Sequence, residues 1–128
     1  MAKAEIKFGE LGGKSFYDYT LVENTIQAHV DRATNIKGGY FVKNGWCFID
    51  VSFDSLFNSG GNSGYLKGFP ASTGGSSYTG YFGSNTGTKW QVQTLSGDTY
   101  LASMDVVTKS GDKLHIIGAY PTSASDTV

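Results

Sequence analysis

The sequence predicts an all-β domain, an antiparallel β-sandwich with jelly-roll-like or meander connectivity. Three observations carry that prediction. Eighteen glycines stand among eight tyrosines, eight phenylalanines and two tryptophans, with only two prolines. Aromatic and β-branched residues suit a pleated, half-buried surface, and glycine supplies the positive-φ corners between strands. Several segments alternate apolar and polar residues with period two, which places one set on each face of a strand. Finally, Asn44-Gly45 joins two such segments, the strongest short-range hairpin signal. At 128 residues the chain suffices for one self-sufficient core.

The elements follow in order. Phe16 to Val22 is rich in aromatic and β-branched residues and reads as a strand. In Thr25 to Arg32, Ile26, Ala28 and Val30 oppose Gln27, His29 and Asp31, a strand with one wet face. Asn35 to Lys43 is a further strand, bent or bulged at Gly38-Gly39. Across the Asn44-Gly45 turn, Cys47, Ile49, Val51 and Phe53 form a continuous apolar face. The opposite face starts apolar at Trp46 and Phe48 and turns polar at Asp50, Ser52 and Asp54. That strand is therefore covered on both sides near its start, by a sheet, a loop or a neighbouring subunit.

From Asn58 to Gly87 the chain is rich in glycine, serine and asparagine. A structureless loop of that length is uncommon in a compact domain. Short strands are expected near Gly64 to Phe69 and Ser77 to Gly83, with exposed loops around them. Thr88 to Leu95 alternates again, with Trp90, Val92 and Thr94 on one face. After Ser96-Gly97-Asp98, Tyr100, Ala102, Met104 and Val106 share a face. After Lys109 to Asp112, Leu114, Ile116, Gly118 and Tyr120 share a face of the last strand. Short turns between consecutive strands suggest a meander here. Ser123 to Val128 reads as a frayed tail.

Composition narrows the function classes. The net charge is −1, and the ten basic residues are scattered. Nucleic-acid binding needs a basic stripe, and none is present. No apolar run approaches the length of a bilayer span. Met1 to Glu5 lacks the charged-then-apolar opening of a secretory signal. A single cysteine, Cys47, leaves no internal disulfide framework. The expectation is a protein made in a reducing cytoplasm that leaves it only inside something else, such as a virus particle released by lysis.

Catalytic and metal chemistry find little footing. A zinc site needs three or four convergent ligands. His29, His115 and Cys47 are isolated in sequence, so no metal or other cofactor is expected, and Cys47 reads as a small core residue. Gly74-Gly75-Ser76-Ser77 lacks the strand-turn-helix setting of a nucleophilic serine. Asp50, Asp54, Asp98, Asp105 and Asp112 could supply a carboxylate pair, but they read as turn or wet-face residues. No enzyme is expected. What remains is a β scaffold that displays aromatic and small polar groups on loops. Asn62, Tyr65, Tyr78, Tyr81, Phe82 and Asn85 are the candidate ligand-binding residues. Flat rings give contact area at low entropic cost, and amides and hydroxyls add adaptable hydrogen bonds. The competing reading places the same aromatics at the edge of the core. Trp90 reads as core, and Trp46 suits a subunit interface.

The second half of the chain also resembles the C-terminal head domains of bacteriophage tail fibres and receptor-binding proteins. The likeness rests on the hairpin Tyr40 to Val51 and the phrase Leu66-Lys67-Gly68-Phe69-Pro70. It continues through Gly87-Thr88-Lys89-Trp90-Gln91-Val92, the turn Ser96-Gly97-Asp98 and the closing Ile116-Ile117-Gly118-Ala119-Tyr120. Asn24 to Arg32, Asn35-Ile36 and Val42 are similar to that family's opening strands. Phe69 stands where leucine is commoner. The resemblance implies a virion component made in the bacterial host cytoplasm. It also implies a homotrimer, association with other virion tail proteins, and host cell-surface polysaccharide as the target. Trp46 and Phe48 then fall at the threefold contact. Residues 1–15 would be an N-terminal attachment segment, 16–121 the head domain and 122–128 a C-terminal tail. The alternatives are a non-binding structural virion protein, such as a capsid decoration or baseplate spacer, a cellular carbohydrate-binding or adhesin module, and a small hydrolase.

Overall fold

A computed structural model describes residues 18–79, 81–104 and 108–128, and in them the chain is a sandwich of two antiparallel sheets. Nine strands appear: β1 (Gln27–Ala28), β2 (Ala33–Lys43), β3 (Trp46–Ser55), β4 (Ser63–Lys67), β5 (Ser77–Tyr78), β6 (Tyr81–Ser84), β7 (Lys89–Leu95), β8 (Asp98–Met104) and β9 (Lys113–Pro121). One sheet has the order β1-β4-β8-β7-β5, the other β2-β3-β9-β6. Among the described residues only β2–β3 and β7–β8 are hairpins between sequence neighbours. The chain otherwise passes repeatedly from one sheet to the other, so the simple meander expected for the last third is replaced by a crossover from β8 to β9. The expected attachment segment 1–15, the first part of the strand expected at 16–22, and Val106 lie outside the described residues.

The β2–β3 hairpin is the spine of the molecule. Asn44 and Gly45 both take positive φ, 51° and 83°, as a tight two-residue turn between twisted strands requires. Alternation then decides the faces of β3. Cys47, Ile49, Val51 and Phe53 are buried against the opposite sheet, while Trp46, Phe48, Asp50, Ser52 and Asp54 stay half-exposed on the outside. On β9 the same rule buries Leu114, Ile116 and Tyr120. The two sheets meet through Phe53, whose ring lies 5.5 Å from Tyr65 and 6.0 Å, edge-on, from Trp90. Fully burying such a ring is worth about 2–3 kcal/mol, and this trio anchors the centre of the core.

Several segments depart from their local pattern. Of the strand expected at Thr25 to Arg32, only Gln27–Ala28 pairs, because Val30 and Asp31 turn the chain at φ 41° and 56° toward β2. The segment Ser77 to Gly83 splits into β5 and β6, which belong to different sheets. In β8 the inward face is Thr99, Leu101 and Ser103, which leaves Tyr100 and Met104 on the opposite side, half-exposed. The tail is ordered against β2. Thr127 N–H donates to Val42 O at 3.0 Å, its hydroxyl accepts from Val42 N–H at 2.9 Å, and Asp126 accepts from Asn44 N–H. With Val22, which exchanges two backbone hydrogen bonds with Tyr40, these residues cover the free edge of β2. The outermost strands of the other sheet are only two residues long each. Short or covered edges suppress unwanted strand pairing.

Candidate functional site

Register across the four-stranded sheet assembles one outer surface from four separate stretches of chain. Phe41, Phe48, Ala119 and Tyr81 form one cross-strand row, and Gly39, Asp50, Ile117 and Gly83 the next. Lys37, Ser52 and His115 follow, then Asp54 and Lys113. The surface therefore runs from an aromatic end to a polar end. At the aromatic end the Phe41 and Phe48 rings pack at a tilt with centroids 4.7 Å apart, and Tyr19 meets Phe41 edge to face at 4.6 Å. Trp46 and Tyr81 lie beside each other at 6.1 Å, and Tyr81 is 67 % exposed.

The polar end is an open cleft of about 540 Å³ between β2, β3 and the start of β9. Asn35, Lys37, Ser52, Asp54, Lys113 and His115 line it, with Asn85 at the wall. Asn85 also borders a shallower depression floored by Gly83, His115 and Ile117, which leads toward Tyr81. A side chain at Gly83 would point into open space, so its absence is what keeps this passage clear. The groove spans from Lys113 to Ala119 on β9, roughly 20 Å at strand spacing, a length that suits several linked sugar units rather than one.

Local geometry fixes each polar group. The imidazole Nε2–H of His115 donates to Asp50 Oδ1 at 2.6 Å; a carboxylate can only accept. Asn35 Nδ2 donates to Asp54 at 2.8 Å, and Lys113 Nζ lies 3.4 Å from the same carboxylate. The Asn35 hydrogen bond, then the Lys113 and Lys37 ammonium groups, hold Asp54 below the usual carboxylate range. Asn35 reaches it because a register shift between Thr34 and Lys37 places Asn35 at φ 53°. Asn85 continues the β6–β9 ladder with its side chain: Nδ2 donates to Lys113 O and Oδ1 accepts from His115 N–H. One donor and one acceptor of that amide are thereby committed to the wall.

No serine hydroxyl is hydrogen-bonded to His115 among the described residues. Asp50 and Asp54 are four residues apart on one face of β3, roughly 13 Å along the strand. Glycosidase carboxylates are separated by about 5–9.5 Å. Among the described residues no group of three or more His, Cys, Asp and Glu could hold a metal. Cys47 is fully buried, and burial pushes its thiol up to about 12.

The expected ligand-binding residues divide. Tyr81 and Asn85 belong to the groove and its rim. Asn62 is exposed on the β3–β4 connection and does not line the cleft. Tyr78 is half-buried on β5 in the other sheet, packed on the core. Tyr65 is corrected to a core residue. It is fully buried, and its hydroxyl is shared among Thr108, Ser55 and Phe57 O, which ties the 56–62 loop to the end of the sandwich. Phe82 points inward, 6.4 Å from Tyr120, and packs against the core rather than facing a ligand. Phe48 is half-buried against the tilted Phe41 ring, and Trp46 retains partial exposure. Lys37, Ser52, Gly83, Lys113 and His115 escape the loop-based reading. Their sequence signal is the polar turn of the β3 outer face at Asp50, Ser52 and Asp54.

Comparison with protein-family models, with curated proteins and with solved structures finds no match to this chain.

Proposed function

We propose that this protein is a non-catalytic contact module of a phage virion, a tail-fibre or receptor-binding head that grips host cell-surface polysaccharide. The observation that carries the reading is the continuity of the exposed Tyr81 ring with a polar cleft on the same sheet face. A flat ring can stack on a sugar face, while the cleft offers amide, hydroxyl, ammonium and imidazole groups to sugar hydroxyls. The virion setting rests on the resemblance of the Tyr40 to Val51 hairpin, the Leu66 to Pro70 phrase and the closing β9 strand to tail-fibre heads. In that setting the chain assembles as a homotrimer with other tail proteins. Three linked shallow sites then give a useful grip without any deep pocket.

Light scattering is expected to give three chain masses. Binding of the intact protein to a panel of bacterial strains and their extracted polysaccharides is expected to select particular strains. Tyr81→Ala is expected to reduce that binding at least about tenfold, the loss of about 1.4 kcal/mol. A stable trimer that binds no strain or polysaccharide would favour a structural spacer instead.

A further inference from the structure

Within the groove the charges are unequally committed. Two carboxylates face it, and both have partners: Asp50 accepts from His115, and Asp54 accepts from Asn35 and lies in ion-pair range of Lys113. Lys113 is likewise engaged. Lys37 is different. It sits on the exposed outer face of β2 opposite Ser52, lines the cleft, and forms no ion pair among the described residues. Among the described residues the cleft thus holds one ammonium group that is within ion-pair distance of no carboxylate, its charge reaching Asp54 only from further away. Ser52 and His115 share its cross-strand row.

Resting on the reading of this face as a saccharide groove, we infer that its ligand is an anionic saccharide whose acidic group is seated at Lys37. The aromatic end at Tyr81 takes a neutral ring face further along the chain. Charge complementarity sets the choice. A neutral glycan leaves the Lys37 ammonium without a direct charged partner, whereas a carboxylate or phosphate forms a charge-assisted hydrogen bond, about twice as strong as a neutral one. The polymer does not compete with Asp50 and Asp54, because those carboxylates are already satisfied from within the sheet. The overall net charge of −1 gives no general attraction for polyanions, so the preference is local to this cleft. Both a uronic-acid carboxylate and a sugar phosphodiester carry the chemistry required.

The test uses the intact protein and three soluble probes measured by calorimetry: polygalacturonate, the same polymer after carboxyl reduction, and poly(glycerol phosphate). The expected result is at least about tenfold tighter binding to one of the two anionic probes than to the reduced polymer. The preferred probe distinguishes carboxylate from phosphate. Lys37→Gln is expected to abolish that preference and Lys37→Arg to retain it. Because Lys37 is exposed, the affinity of the native protein also falls with added salt. Gly83→Trp, whose side chain enters open space, is expected to block every probe while leaving the fold intact. Equal binding of anionic and reduced polymers, unaffected by Lys37→Gln, would overturn the anionic preference and leave the saccharide reading standing. Absence of binding to all three probes would overturn the preference, and the strain and polysaccharide panel then decides the wider reading separately.

Discussion

His115 Nε2 lies 2.6 Å from Asp50 Oδ1, and this pair bridges β9 and β3 where the outer face changes from aromatic to polar. Both side chains keep substantial exposure, 47 % for His115 and 22 % for Asp50. An exposed polar pair of this kind contributes little to stability. His115→Gln is therefore expected to change urea-unfolding stability by less than about 1 kcal/mol while weakening polysaccharide binding. A large loss of stability would instead make the pair a structural element of the sheet.

Tyr65 belongs to the core rather than to a ligand surface. Its hydroxyl is shared among Thr108, Ser55 and the carbonyl of Phe57. Tyr65→Phe keeps the ring and deletes that group, at an expected cost of about 1–2 kcal/mol in denaturant unfolding. Binding to cells should be unchanged. Weaker binding at unchanged stability would return Tyr65 to the ligand surface.

Gly38 marks the closest approach within the β2–β3 hairpin. A Cβ there would collide with the carbonyl oxygen of Asp50, and the residue holds φ +83°. Gly38→Ala combines backbone strain with a clash against a backbone atom that cannot easily move. The expected destabilisation is about 2 kcal/mol or more, read from the unfolding midpoint. Gly83→Ala, at an open position, serves as the neutral control.

His29 predicts a pH dependence of folding. Burial, then the Arg32 and Lys67 charges, lower its pKa below the ordinary 6.5. Its ring packs edge-on against Tyr100 at 4.7 Å. A lowered histidine pKa means that the unfolded chain binds the proton more readily, so stability rises with pH across the interval between the two values. The contribution is fully present above about 6.5 and is lost as the pH falls from there toward the folded-state value. His29→Gln is expected to flatten that part of the stability–pH curve. An identical slope in both proteins would assign the effect elsewhere.

Cys47 is buried, and its thiol is pushed up to about 12. Reactivity follows the thiolate. Iodoacetamide at pH 8 is expected to leave the native protein unmodified and to label it fully after denaturation. Rapid native labelling would place the β3 inner face within reach of solvent.

How much of this was legible depends on the range of the interactions that decide it. The alternation from Trp46 to Phe53 and the Asn44-Gly45 turn are local signals, and β3 and its hairpin follow them closely. Val30 obeys the same alternation, yet it sits exposed in a turn at positive φ, because the chain must leave β1 for the other sheet. In β8 both faces carry apolar residues, so local periodicity could not show that Leu101 rather than Tyr100 points into the core. Tyr65 and Tyr81 look alike in sequence, in similar glycine-rich surroundings. The first is buried where a register shift between Gly64 and Leu66 interrupts the β4–β8 pairing, and pairing with the outer row of β9 exposes the second. The groove itself depends on register. Lys37, Ser52 and His115 become neighbours only once β2, β3 and β9 are aligned.

The most direct measurement is amide hydrogen exchange of the intact protein with and without a bound host polysaccharide. A contact surface on the outer face of the four-stranded sheet predicts that added protection concentrates on 81–85 and 113–119, with a smaller share on 35–37. Protection confined to the exposed loops at 58–62 and 71–76, or to the five-stranded sheet, would contradict it.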